Sequence, residues 1–369
     1  MTLFSTILSL AVALTGCGGD DTDEAPVSAV TITAQPEHID APAAGGTYTV
    51  DVTTTGKEWG AYVDQPFVTI QPKGTTSQQG TVSIAVSANP YTEARTATVT
   101  LMSGAARKSI TVSQTAAATA YDAPAGYKLV WADEFNSGTE LDASHWTHEV
   151  QNSGWVNNEL QNYVNHRTPE GQLVTELRGG KLRITALKEN GKVYSGRIYA
   201  HVNEGWEYGY FEASIKLPSG KGTWPAFWMM PVGNDWSTNP WPMCGEIDIM
   251  EEVGVVPNEV SSSVHTQDYN HTKNTQKTHA FVLAGAEGEF HTYALLWTPD
   301  EITTYVDGRE QLHVTKAALG SGHNQWPFHY AFYPIFNLAW GGDWGGMKGV
   351  DESALPCTME VDYIRVFQK

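Results

Sequence analysis

The chain has 369 residues, enough for two ordinary domains, with 22 basic against 41 acidic side chains and a formal net charge of −19. That charge argues against nucleic acids and other anionic polymers as partners. An aromatic share of 11% beside only 17% charged residues favours a β protein that stacks on flat, uncharged rings. The cysteines, three in number, do not make a disulfide framework. Whether Cys244 and Cys357 pair stays open, because sequence does not show two Cα atoms within the ~7 Å a bridge needs.

In chain order, residues 3–14 are an apolar run too short to span a bilayer and suited to the core of a signal peptide, although no Lys or Arg precedes it. Leu14-Thr15-Gly16-Cys17 follows and looks like a bacterial lipobox, whose Cys17 would carry acyl chains and anchor the protein without a spanning helix. Residues 1–17 therefore read as a lipoprotein signal and 18–27 as a tether. The acidic run from Asp20 to Glu24 resembles a surface-export signal, so the expected location is the outer membrane, at the cell surface of a Gram-negative bacterium.

Residues 28–115 change character. Short alternating runs (30–33, 47–52, 68–70, 81–86, 95–101, 109–112), rich in Thr and separated by Gly, Pro and Asn, predict a small immunoglobulin-like β-sandwich. Ala44-Gly-Gly-Thr-Tyr48, Trp59, Asn89-Pro90, Arg95-Thr-Ala-Thr98 and Val112-Ser-Gln114 resemble BACON modules, found ahead of carbohydrate enzymes. Trp59, Tyr62 and Phe67 are either a sugar platform or the packing of a spacer; lone aromatics in a small domain favour packing. Residues 116–126, small and apolar with Pro124, read as a linker.

From Tyr127 to residue 369 strand patterns continue with little helical periodicity: 127–131, 181–186, 208–217, 292–297, 302–307 and 359–367. Val306-Asp307-Gly308-Arg309 is a hairpin signal, and Asp142 to Trp146 is at most a turn or two of helix. The fold class is all-β: a two-sheet jelly roll behind the smaller sandwich. Trp131, Trp146 and Trp297 are expected in its core.

Gly245-Glu-Ile-Asp-Ile-Met-Glu-Glu252 packs four carboxylates among β-favouring neighbours. In a strand Glu246 and Asp248 share one face, with Ile247 and Ile249 on the other. Glu251 falls out of phase, into the core, where an unpaired carboxylate is costly. One extra residue near Ile249-Met250, a β-bulge, brings it back onto the carboxylate face. Two such Glu residues have Cα atoms about 13 Å apart and can lean together, whereas Glu252, without a bulge, would lie near 20 Å from Glu246. A retaining glycosidase needs two carboxyls roughly 5–5.5 Å apart, one ionised and one protonated, and Asp248 between them raises the pKa of a neighbour that must hold a proton. The plainer reading, a solvated acidic strand face, is disfavoured because such faces mix signs.

Trp224-Pro-Ala-Phe-Trp228 followed by Gly245-Glu-Ile-Asp-Ile-Met-Glu251 resembles glycoside hydrolase family 16, in particular its laminarinase-like endo-β-1,3(4)-glucanases. Trp131-Ala-Asp-Glu-Phe135, Asn157-Asn-Glu-Leu-Gln161, Ser195-Gly-Arg197, Asn337-Leu-Ala-Trp-Gly-Gly342 and Val361-Asp-Tyr-Ile-Arg-Val366 agree, in the family's order, over about residues 127–368. The resemblance implies a concanavalin-like jelly roll whose concave sheet forms an open cleft. It implies Glu246 as nucleophile, Glu251 as acid/base, Asp248 as the assisting residue and His265 beside them, with no cofactor for catalysis. Asn157, Glu159, Arg197 and Asn337 match positions that meet sugar hydroxyls, and Trp206, Trp224, Trp228, Trp241 and Trp340 are candidates for stacking on pyranose faces. It also implies a structural Ca²⁺ held by Asp362, the Gly180 carbonyl and Glu134.

The expected activity is endo-acting, retaining hydrolysis of a neutral β-1,3 or mixed β-1,3/1,4 glucan by a monomer. A related galactan hydrolase is disfavoured by the scarcity of basic residues. An inactive surface glycan-binding lipoprotein would be favoured had Glu246 or Glu251 been replaced, and both are present.

Overall fold

The computed structural model describes residues 29–89, 91, 93–116 and 123–369. The signal run, Cys17, the acidic run, the tether and residues 117–122 of the linker lie outside the described residues. Among the described residues no helix is long and apolar enough to cross a membrane.

The N-terminal unit is a sandwich of a four-stranded and a five-stranded sheet. Alternation builds it. In the strand Arg95–Ser103, Ala97, Val99 and Leu101 turn inward while threonines fill the positions between them. The three aromatics do not form a platform. Trp59 is buried in the core, Phe67 lies beneath the Arg95 guanidinium at 4.0 Å, and Tyr62 alone is exposed.

The C-terminal unit pairs a ten-stranded sheet with a seven-stranded one around one large apolar core, with two small satellite clusters at Val174, Leu187 and Tyr194 and at Met230, Cys244 and Ile335 among the described residues. The ten-stranded sheet is built on Cys357–Gln368, flanked by Leu182–Glu189 and Gly209–Lys216. Its hairpin at Asp307-Gly308 has both φ angles positive (49° and 74°), the twist a two-residue turn between right-twisted strands requires. Asp142 to Trp146 make one hydrogen-bonded turn, capped by the Asp142 carboxylate, before the chain enters a strand.

Numbering only the strands of the seven-stranded sheet in chain order gives β1 (Trp146–His148), β2 (Arg197–Ala200), β3 (Thr223–Pro231), β4 (Glu246–Glu252), β5 (Glu259–His265), β6 (Lys277–Val282) and β7 (Phe332–Trp340). In space they run β1-β2-β7-β3-β4-β5-β6. One face packs on the core through Ile198, Phe227, Ile247 and Phe336. The other face carries the polar and indole side chains discussed next. Trp131, Trp146 and Trp297 are buried in the core, as expected.

Two subsite expectations are corrected here. Asn337 faces the polar side of β7, so by alternation Phe336, Leu338 and Trp340 face the core, and Trp340 is 1% exposed. Trp206 is equally enclosed: its backbone exchanges two hydrogen bonds with Phe332 and its ring lies 5.2 Å from that of Trp131. Neither indole can meet a sugar. Cys244 and Cys357 are free, buried thiols.

Candidate active site

The bulge is present. Against β5 the register runs Glu246↔His265 and Asp248↔Ser263, then shifts to Glu251↔Ser261; against β3 it jumps from Asp248↔Trp228 to Met250↔Phe227. The extra residue returns Glu251 to the face of Glu246 and Asp248 and turns Ile249 and Met250 into the core. At the bulge Ile249 has no register partner in β5 or β3, and the buried Ser262 hydroxyl donates to its carbonyl at 2.7 Å. Ser262→Ala strips that carbonyl of its donor and should cost about 1–3 kcal/mol, read as a lower urea midpoint at unchanged m-value.

Cross-strand register then assembles the outer face: Arg197 on β2 opposite Asn337 on β7, Ala226 on β3 between Asn337 and Glu251, and Trp228 beside Asp248. Each outer carboxylate is held by one indole. Trp224 Nε1 donates to Glu251 Oε1 at 3.0 Å, and Trp241 Nε1 donates to Glu246 Oε2 at 3.2 Å. His265 Nε2 lies 3.2 Å from Asp248 Oδ2 and 3.9 Å from Glu246 Oε1. Burial first, then repulsion from Asp248, pushes the Glu246 and Glu251 carboxyls up to about 8, and burial does the same to Asp248. His265 and Arg197 pull Glu246 back toward ionisation, as the Trp224 N–H does for Glu251. Three carboxyls this close titrate as one cluster that keeps protons at neutral pH.

Arg197 is clamped. Its guanidinium lies 4.6 Å over Trp228 and 4.9 Å over Trp155, and its Nε lies 2.6 Å from Glu149 Oε2. Beneath it runs a buried network: Trp228 Nε1 donates to Asn337 Oδ1, Asn337 Nδ2 to Tyr163 Oη, and Tyr163 Oη to Glu159 Oε2. Gln161 Nε2 and Asn157 Nδ2 also donate to Glu159. Glu159 and Asn337 thus commit their polar atoms inside the protein and orient Trp228, instead of lying open to a ligand as expected. Asn157 is exposed.

Sequence reasoning missed Trp155, which is exposed, and Trp344, whose ring meets that of Trp224 edge-on at 5.4 Å. Both sit inside or beside motifs already singled out, so their proximity to Asn157 and Gly342 was an available signal. His271, edge-on to His265 at 5.3 Å, had none.

Glu252 points the other way, into the protein. Its Oε1 accepts from Asn258 N at 2.8 Å, while its Oε2 and Glu287 Oε1 have no donor among the described residues, so one shared proton joins the two carboxyls. Burial and then Glu287 push the Glu252 pKa well up. A carboxyl whose folded pKa is raised contributes fully below its unfolded pKa, and its contribution is lost as pH climbs through the interval to the folded value. Melting temperature should therefore fall between pH 5 and 9 more steeply in wild type than in Glu252→Gln, whose amide replaces the proton donor and does not titrate.

The expected calcium set is only partly compatible with the structure. Glu134 is corrected: both its oxygens accept from Arg365, at 2.8 and 2.9 Å. Asp362 is half-exposed, 3.6 Å from Lys181 Nζ, and strand pairing sets Gly180 near it, where Asn136 Oδ1 also approaches.

Comparison with known proteins agrees with this architecture. The family model described as glycosyl hydrolases family 16 matches residues 160–365, and the BACON model of N-terminal binding domains matches residues 57–115. A "Beta-glucanase" of Rhodothermus marinus is 40% identical over 248 residues, 66% of this chain and 85% of that protein. A "Glucan endo-1,3-beta-glucosidase A1" of Niallia circulans is 34% identical over 66% of this chain, which spans only 38% of that protein. A solved family 16 non-specific endo-β-1,3(4)-glucanase, a mutant crystallised with a glucan oligosaccharide at its active site, superposes with a TM-score of 0.61 and 43% identity, covering 67% of this chain and 96% of that one. With its bulged acidic strand and its matched family model, the chain belongs to glycosyl hydrolases family 16.

Proposed function

We propose that this protein is an endo-acting, retaining β-glucanase that cuts β-1,3 bonds in neutral glucans such as laminarin, or mixed β-1,3/1,4 glucans. The observation that carries the reading is the bulged strand β4, which sets Glu246 and Glu251 on one face, each tethered by one indole N–H. Glu246, ionised, attacks the anomeric carbon, while Glu251, protonated, gives its proton to the departing glycosidic oxygen. Glu251 then takes a proton from the water that hydrolyses the glycosyl-enzyme. His265 and Arg197 favour the ionised form of Glu246, while burial and the neighbouring Asp248 favour the protonated form of Glu251. Half-buried indoles at Trp224, Trp228 and Trp241, with exposed Trp155, suit pyranose faces, and Arg197 can donate to hydroxyl rims. The site is complete within one chain, which supports action as a monomer, testable by light scattering.

Product analysis on laminarin, barley mixed-linkage glucan and agarose tests the proposal. Release of β-1,3-containing oligosaccharides with a β reducing end formed first is expected. Failure to cut any of the three, with binding retained, would sink it and favour the glycan-binding reading.

Two further parts of the reading concern setting. Acylation at Cys17, suggested by the lipobox pattern, anchors the enzyme at an outer membrane, and Cys17→Ala should abolish palmitate labelling and membrane fractionation. A Ca²⁺ at Asp362, with oxygens of Gly180 and Asn136, has a structural role only. A chelator should lower the melting temperature and leave kcat at 25 °C unchanged; an unchanged melting temperature would remove the ion from the reading.

A further inference from the structure

We infer that Glu246, Asp248 and His265 form an inhibitory binding site for one transition-metal ion, Zn²⁺ or Cu²⁺, whose occupation blocks the nucleophile. The inhibitory part rests on the glycosidase reading; the binding part does not. The three donor atoms all lie within 4.8 Å of one another. Ligands about 2.0–2.2 Å from a common ion stand about 3.3–4.3 Å apart. The two imidazole contacts, at 3.2 and 3.9 Å, are close to that spacing.

The donors are built in by the backbone. Glu246 and His265 are register partners, and Asp248 is two positions along the same strand, so the set moves only with the sheet. Asp248 and His265 are both more than nine-tenths buried. Asp248 Oδ2 receives no hydrogen bond among the described residues, although His265 Nε2 stands 3.2 Å away. The imidazole nitrogen and the carboxylate oxygen thus stand 3.2 Å apart with no hydrogen bond joining them, a separation that two ligands of one ion can have. Trp241 engages only Oε2 of Glu246, which leaves Oε1 for the ion. Trp241 and His271 flank the His265 ring at 5.9 and 5.3 Å and hold it in place.

The donor chemistry selects the ion. One imidazole and two carboxylates suit Cu²⁺ and Zn²⁺, with Cu²⁺ bound more tightly. Ca²⁺ and Mg²⁺ want six or more oxygens and few nitrogens. His265 Nδ1 is buried with no acceptor among the described residues, so nothing raises the basicity of Nε2 as a structural metal site would. The ion is accordingly held reversibly. On binding, it takes the Glu246 Oε1 lone pair that would attack the anomeric carbon, so glucan and metal exclude each other.

The test titrates the full chain with Zn²⁺ by calorimetry and with Cu²⁺ by electron paramagnetic resonance. One equivalent of each ion is expected, with nitrogen coupling from a single imidazole in the Cu²⁺ spectrum. His265→Asn and Asp248→Asn should each raise the Kd at least tenfold and remove that coupling or alter it, with thermal melting confirming that both variants fold. A His323→Asn/His329→Asn double variant, which removes another neighbouring imidazole pair with centroids 5.7 Å apart, should leave the Kd unchanged. Undiminished binding in His265→Asn, or no stoichiometric binding in wild type, overturns the inference. The titration reads metal and not hydrolysis. A chain that binds Zn²⁺ at His265 yet cuts no glucan therefore keeps the site and loses only the glucanase reading.

Discussion

Glu246→Gln is expected to lower kcat on laminarin by about 10⁴-fold or more, the scale of loss when one member of a catalytic unit is removed, while KM stays within a few-fold of wild type. The argument is local. Gln keeps the shape and still accepts from Trp241 Nε1, which lies 3.2 Å from the carboxylate in wild type, so the indole wall stays where it is. Only the anion is lost. Without it no glycosyl-enzyme forms, and the remaining acid at Glu251 has a good proton to give but no nucleophile behind the sugar. The stronger version of the experiment empties the position: with Glu246→Gly, added azide should attack the anomeric carbon from the vacated side and release a glycosyl azide of α configuration. Azide products of β configuration would place the nucleophile elsewhere, and so would unaltered kcat in Glu246→Gln.

How much of this was legible in the sequence depended on periodicity. Strands of the ten-stranded sheet carry partial alternation: the reading of 292–297 falls inside His291–Trp297, that of 181–186 starts one residue ahead of Leu182–Glu189, and that of 208–217 overruns Gly209–Lys216 by one residue at each end. The strands that carry the site were harder. β3 and β7 hold Pro225 and Pro334 within their paired lengths, and a proline in a central strand argues against a strand at all. Their tryptophans could be counted but not sided. Trp224 and Trp228 are on the outer face and Trp340 is in the core because β3 and β7 pair with a register that puts Trp224 beside Ala339 and Trp228 beside Ile335. No local rule supplies that register; it is set by the whole sheet. The bulge in β4 was readable for a physical reason: four carboxylates at mixed phase cannot all face an apolar core, so the chain must break phase or pair them. It does both, at Glu251 and at Glu252 with Glu287. The mutual engagement of Glu159, Tyr163 and Asn337 was not readable, since it joins a loop to a strand far along the chain.

Glu251→Gln should separate acid catalysis from nucleophilic attack. On laminarin, whose leaving group is a sugar alkoxide, kcat is expected to fall by about 10²–10⁴-fold, the usual contribution of a positioned general acid. On an aryl β-glucoside oligomer with a nitrophenolate leaving group, formation of the glycosyl-enzyme should continue near the wild-type rate, because that leaving group departs without a proton. Breakdown is then slow, since no base activates water, and a burst of nitrophenol of one equivalent marks the accumulated intermediate. The pH dependence follows from the same group. Wild-type activity requires a protonated Glu251, so the rate falls as pH rises through a raised carboxyl pKa; burial and Asp248 set that limb near 8, well above an ordinary Glu. In Glu251→Gln nothing titrates at that position, so the alkaline limb that wild type shows on laminarin has no counterpart in the aryl-substrate burst, which keeps only the acid limb owed to ionisation of Glu246. Because Asp248 repels both partners, Asp248→Asn should move both limbs to lower pH together, a shift that a merely structural Asp248 would not produce.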